Sequence, residues 1–200
     1  MKRMLKAAVV LAAVGVISTG EAEAQAKFMI GGGLSMPTGE FSSTEDGGYF
    51  AGNGFNALAG VTVGAPMMPF GVRVDGSFNR FGLAEEAGEM DANYQVLAGT
   101  ANAVFSLPVP GLVQPYLLAG VGVYNSKLTG DDVTEEFSNA ETNFGINGGV
   151  GVNLALGGLS LFGEARMHNV FISERTVGDV TIEAEDIRMI PVTVGLRLGH

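Results

Sequence analysis

A chain of 200 residues with 11 Lys and Arg against 21 Asp and Glu carries a formal charge of −10, which argues against a nucleic acid partner, because binding to phosphate backbones rests on clustered basic side chains. Cysteine is absent, so neither a disulfide framework nor a thiol site is available. The length suits one domain rather than two.

Residues 1–26 read as an export signal, a helical signal peptide. Lys2, Arg3 and Lys6 form a positive start, Ala7 to Ile17 is an apolar run, and Ala22-Glu23-Ala24 or Ala24-Gln25-Ala26 offers small residues for cleavage. A membrane anchor would need about 20 apolar residues, and Ser18, Thr19, Gly20 and Glu21 interrupt this run. Beyond it no apolar stretch is long enough for a spanning helix, so any membrane passage falls to strands.

Residues 27–200 resolve into eight stretches with a period of two. The first, Lys27 to Met36, sets Phe28, Ile30, Leu34 and Met36 against Gly31, Gly33 and Ser35. The second, Phe55 to Ala65, sets Ala57, Ala59, Val61 and Val63 against Asn56, Gly60, Thr62 and Gly64. The third opposes Phe70, Val72, Val74 and Phe78 to Arg73, Asp75, Ser77 and Asn79, and is the clearest. The fourth, Tyr94 to Leu107, opposes Leu97, Ala101, Ala103 and Phe105 to Thr100, Asn102 and Ser106. The fifth, Gln114 to Asn125, opposes Leu117, Ala119, Val121 and Val123 to Tyr116, Gly120, Gly122 and Tyr124. The sixth runs from Phe144 to Leu156 with Asn147, Gly149, Gly151 and Asn153 on the polar face. The seventh opposes Leu159, Leu161, Ala165 and Met167 to Ser160, Glu164, Arg166 and His168. The eighth sets Ile190, Val192, Val194, Leu196 and Leu198 against Thr193, Gly195 and Arg197.

The joints between these stretches alternate in length and charge. Short ones fall at Pro66 to Pro69, Pro108 to Gly111 and Gly157-Gly158. Long ones cover roughly 38–54, 83–93, 128–142 and 172–186, and hold 17 of the 19 acidic residues that follow position 26. Such sorting suits a chain whose two ends meet different compartments. Each stretch is also longer than the five or six residues common in soluble strands and matches the nine to eleven that cross hydrocarbon at a tilt.

The faces can be oriented by cost. An Arg or Lys on the lipid side at mid-bilayer costs about 2–4 kcal/mol, so the cluster Arg73, Asp75, Glu164, Arg166 and Arg197 belongs inside, where both signs can pair. The apolar face then meets lipid. The reading is an all-β, closed, eight-stranded antiparallel up-and-down transmembrane β-barrel with both termini on the short-joint side. Inward glycines leave room for larger neighbours. Pro191, unable to donate to a ladder, predicts a bulge or local irregularity.

The segment Gln114-Pro115-Tyr116-Leu117-Leu118-Ala119-Gly120-Val121-Gly122-Val123 resembles small outer-membrane barrels of the OmpA and OmpX type, and Val192-Thr193-Val194-Gly195-Leu196-Arg197-Leu198-Gly199-His200 resembles their closing strand. The chain differs in ending on His200 where members carry an aromatic residue, and in having no Trp. The resemblance implies a Gram-negative cell-envelope protein, located in the outer membrane and folded by the barrel-assembly machinery. Outer-membrane lipid and lipopolysaccharide would surround it. It implies no shared catalytic residues.

Rival chemistries fare poorly. Glu164 and His168 share a face but stand about 13 Å apart along a strand at roughly 3.3 Å per residue, and Ser160 is farther still, so no triad is singled out. Gly120-Val121-Gly122 and Gly149-Val150-Gly151 lack the helix that a nucleotide loop must open. The acidic groups Asp131, Asp132, Glu135, Glu136 and Glu85, Glu86, Glu89 match no EF-hand spacing. Neither an enzyme, a cofactor nor a metal site is expected. The functional expectation is a monomeric structural or surface-interaction barrel with acidic extracellular loops and a plugged polar lumen. The alternative is a narrow transport barrel for small apolar molecules, similar to the OmpW type, with Leu58, Leu118, Phe162 and Tyr116 lining the path.

Overall fold

The computed structural model describes residues 25–43, 50–64, 68–83, 92–130, 140–172, 175–177, 180–182 and 185–199. The expected signal peptide up to Ala24, most acidic residues of the long loops and His200 lie outside them.

Eight long strands form the wall: β1 (Gln25–Thr38), β2 (Ala51–Gly64), β3 (Phe70–Leu83), β4 (Asn93–Ser106), β5 (Val113–Thr129), β6 (Glu141–Ala155), β7 (Leu159–Val170) and β10 (Ile187–Leu198). They close in the order β1-β10-β7-β6-β5-β4-β3-β2, and every pairing is antiparallel. Chain neighbours are sheet neighbours throughout, apart from a two-stranded hairpin, β8 (Arg175–Val177) with β9 (Val180–Ile182), inside the last long loop. Closure removes the open edges that water would otherwise have to satisfy, which is the condition for strands to sit in hydrocarbon.

The stagger is readable from the register. Partners followed once round the wall run Phe28, Val61, Val74, Ala101, Val121, Ile146, Asn169, Arg188 and Thr38, so the path returns to β1 ten residues farther along. That stagger tilts the strands steeply and, with eight of them, leaves an interior just wide enough for side chains to fill.

The period-two pattern sets burial in the inverse of a soluble domain. Outward residues such as Leu34 and Val194 are 68% and 64% exposed, whereas Arg73, Asp75, Glu164 and Arg166 are at most 4% exposed. Exposed Val, Leu, Ile and Phe line all eight strands. Such a surface is stable only against hydrocarbon. Paired rings mark both ends of this band: Phe70 and Phe105 stand 4.9 Å apart near the short turns, and Phe144 stacks on Phe171 at 6.4 Å near the long loops.

Pro191 gives a local irregularity, one of the two outcomes expected of it, and no bulge: it sits opposite Ser35 in an unbroken register with β1, while the pairing to β7 skips Ile190 and Pro191 and resumes in the same register. A register shift lies instead between Ala51 and Gly54 on β2, beside Phe50, whose φ of 54° is left-handed. β1 starts at Gln25, where Gln25 and Ala26 already pair with Gly64 and Val63. Within the first long loop, Gly39–Ser42 form a 3-10 turn that carries Phe41 to complete burial.

Candidate functional site: the barrel interior

β3 and β7 face each other across the barrel, with three strands between them in either direction. Arg73 and Asp75 on β3, and Glu164 and Arg166 on β7, are two residues apart within each strand and therefore project from the same inward face. Their side chains meet across the bore. Arg73 forks onto Glu164, Nη1 donating to Oε2 at 2.7 Å and Nη2 to Oε1 at 2.9 Å, and its Nε donates to Asp75 Oδ2 at 3.0 Å. Arg166 donates through Nη2 and Nε to Glu164 Oε1 at 2.6 and 3.0 Å, and through Nη1 to Asp75 Oδ2 at 3.1 Å.

The quartet balances two positive against two negative charges. This matters because an unpaired ion in such an interior costs several kcal/mol, whereas a fully hydrogen-bonded pair recovers that cost. Neighbouring strands supply the remaining contacts. Tyr116 on β5 donates its hydroxyl to Glu164 Oε2 at 2.7 Å, and Asn102 on β4 donates Nδ2 to Asp75 Oδ2 at 2.7 Å. Thr100 reaches the same oxygen at 3.3 Å.

Room for these large groups comes from glycines on adjacent strands. Gly60 is the register partner of Asp75, and a Cβ there would lie 2.5 Å from Asp75 Oδ1. Gly151 pairs with Tyr116, and a Cβ there would overlap the phenol ring.

Arg197, the fifth residue placed inside from sequence, does not join the quartet. It lies toward the short-turn end of β10, its guanidinium carbon 5.5 Å from the centroid of the Tyr116 ring. Its Nε and Nη2 reach no hydrogen-bond acceptor among the described residues. The stacking is a cation–π contact, which partly compensates a desolvated cation.

Toward the long loops the interior is polar but uncharged: Ser35 donates to Asn79 at 2.8 Å, Thr193 to Asn56 at 2.8 Å, and Tyr124 Oη lies 2.8 Å from His168 Nδ1. A void of about 10 Å³ lies here, bounded by Asn56, Asn79, His168 and Thr193 among others, room for about one water. Glu164 is thus held by the arginines and His168 by Tyr124, so the acid and imidazole are not brought together.

Above this layer the bore turns apolar. Phe41, Phe81, Val96, Tyr124, Val170, Ile187 and Met189 form one buried cluster with Ala51 and Ala98. The ring of Phe41 packs edge-on against Phe81 at 5.1 Å and Tyr94 at 5.5 Å. Most of this cluster is missing from the sequence reading, although Phe81, Val96 and Met189 continue the inward parity of Asn79, Ala98 and Thr193. At the short-turn end, Met29, Leu58 and Phe162 pack together, as do Val104, Tyr116 and Leu118. Among the described residues no group of three or more metal-ligating side chains converges; the acidic clusters of the long loops lie outside those residues.

A closed wall of eight lipid-length strands, apolar outside and ion-paired within, defines a transmembrane β-barrel. The chain belongs to the outer membrane protein beta-barrel domain family, whose model matches residues 7–197, and the protein is an outer-membrane protein. Among solved structures it is similar to Neisserial surface protein A at 13% identity, with a TM-score of 0.62 over 86% of this chain and 96% of that one. It is likewise similar to a major outer membrane protein from Thermus thermophilus, at 16% identity and a TM-score of 0.57 over 89% and 100% of the two chains. Ail of Yersinia pestis, in its complex with the heparin analogue sucrose octasulfate, matches at 16% identity and a TM-score of 0.51 over 88% and 99%. At such identities the likeness is one of fold. A search of curated proteins gave no significant match.

Proposed function

We propose that this protein is a monomeric structural or surface-interaction barrel with a plugged lumen, its long acidic loops outside the cell and both termini in the periplasm. The observation that carries the reading is the bridge between opposite walls: Arg73 on β3 forks onto Glu164 on β7, and Arg166 ties Glu164 to Asp75. A solute would have to break buried ion pairs to pass. Recordings from the purified protein in planar bilayers test this: the expected trace is flat, and a steady, large conductance overturns the plug.

The loops support a surface role with a particular sign. They hold 17 of the 19 acidic residues after position 26, so they favour neutral or cationic partners. Sucrose octasulfate, the polyanion in the Ail complex, has the wrong charge for them. The barrel-assembly machinery would insert the chain through its last strand, Ile187–Leu198. Signal cleavage after Ala24 preserves the pairing of Gln25 and Ala26 with β2, and N-terminal sequencing of the mature protein checks that site.

One observation favours the second reading, sideways transport of small apolar molecules. An outward groove of about 450 Å³ lies over Gly163, flanked by Val152, Leu154, Leu161, Val194 and Leu196. Phe162 borders it and, on the inner side, packs with Met29 and Leu58. Hydrocarbon-dependent fluorescence changes in reconstituted wild type that disappear in G163F would establish this path; their absence in wild type removes it.

A further inference from the structure

The outer wall carries a cationic row that neither the plug nor the acidic loops account for. After position 26 the chain has eight Lys and Arg, and Arg73, Arg166 and Arg197 are buried in the bore. Arg80 and Lys127 are exposed and share the outward parity of Phe78 and Val123. Both sit near the long-loop ends of their strands, and the register sets them in line: Arg80 opposite Gln95, and Gln95 opposite Lys127. Two strand spacings separate them, about 10 Å, so their flexible side chains span one or two phosphate groups.

The surroundings suit an amphiphile. Gln95 is fixed by donating to Thr129 Oγ1 at 2.9 Å, and Asn125 donates to Thr142 Oγ1 at 2.9 Å. Phe55 lies directly opposite Arg80 on β2, its ring 6.3 Å from that of Phe78. Leu97, two residues along β4 from Gln95 and on the same face, is 57% exposed. Donors therefore stand on top of an aromatic and aliphatic floor, at the level where the outward apolar band ends.

Simple anchoring by snorkelling bases would place them at both rims. Among the described residues the outward bases are Arg80, Lys127 and Arg188, all near long-loop ends, and Arg188 already donates Nε to Asn169 at 2.9 Å beside Asp186. At the other rim Lys27 shares the inward parity of buried Met29. One-sided placement on a chain of charge −10 points to a leaflet-specific anionic headgroup.

We propose that Arg80 and Lys127 bind the phosphates of the lipid A headgroup of lipopolysaccharide in the outer leaflet, with its acyl chains on Phe55, Phe78 and Leu97. The assignment rests on the reading that the long loops face outward. Native mass spectrometry of the detergent-purified protein with bisphosphorylated lipid A tests it. Each neutralised base removes about one unit of surface attraction, roughly fivefold. R80Q and K127Q are each expected to weaken retention about fivefold and the double variant about 25-fold, while fully dephosphorylated lipid A is held weakly and equally by all. Retention by the double variant equal to wild type overturns the site. So does equal retention of phosphatidylglycerol, since the row would then be a general interfacial anchor. Heat-modifiable mobility on gels confirms that each variant is folded. Orientation is read separately: the chain has no cysteine, so G130C on intact cells should react with a membrane-impermeant maleimide. Failure to label overturns the outward loops, whatever the lipid measurements give.

Discussion

The middle of the bore and its long-loop end solve one problem, filling a narrow cylinder, with opposite chemistry. In the middle, four ionised side chains from two facing strands form a neutral network in which Glu164 accepts hydrogen bonds from Arg73, Arg166 and Tyr116. At the long-loop end, buried apolar and aromatic residues pack without any charge, and one of them, Phe41, comes from a 3-10 turn outside the wall strands. The first filling is directional: it specifies which strands face each other, and removal of one member leaves its partners uncompensated. The second depends on area and shape, and degrades in smaller steps.

The largest expected effect breaks the first region. E164Q leaves two arginines facing a single carboxylate and should lower unfolding free energy by about 3–5 kcal/mol, measured by urea titration of the protein refolded in lipid vesicles. Removing Arg73 and Asp75 together, as R73M/D75M, takes out opposite charges and leaves Glu164 paired with Arg166, so it should cost far less, because replacing a buried pair by apolar groups is often neutral. If the double variant is as damaged as E164Q, charge balance does not govern this layer. Next comes a test of inside against outside: V121R in the middle of the outward face of β5 should cost about 2–4 kcal/mol in the same titration, although arginine is native to the inward face. Y116F, which deletes one hydrogen bond to an ionised carboxylate, should cost about 2 kcal/mol. The smallest effect belongs to the apolar end. F41A is expected to cost about 1–2 kcal/mol, since a 3-10 turn can detach without unzipping the wall, and to speed hydrogen exchange at Phe50 N–H, which donates to Ser43 O at 3.1 Å.

The fold was legible because hydrocarbon imposes one rule on every crossing: alternate residues must be apolar. That rule gave the eight strands from Lys27 to Leu198 and the inward parity of the charged residues. It stops where the wall leaves the bilayer, which is why strand three continues past Asn79 to Leu83, strand five past Asn125 to Thr129, and the last strand begins at Ile187 instead of Ile190. There, outward positions are Arg80, Gln95 and Lys127, and alternation no longer marks them. Which inward residues meet was beyond reach, because partners across the bore depend on the stagger. Arg73 and Glu164 are 91 residues apart in sequence, and nothing local distinguishes their pairing from one with Arg197. Phe41 left no periodic trace, coming from a turn that interrupts the pattern. Pro191 shows how far a residue-level rule reaches: the missing donor announced a local irregularity, and the structure gives it the form of a skipped pairing to β7 without a change of register.

The ten-residue offset around the wall has a practical corollary for anyone wishing to turn this scaffold into a conduit. Diameter in such a cylinder follows from the number of staves and their slant, neither of which a point substitution alters. Glycines already occupy wall positions beside Asp75 and Tyr116, so trimming the lining further has little left to remove there. A passage would have to be carved from the crossing arginines and carboxylates themselves, and with them would go the ties that fix one side of the cylinder to the other.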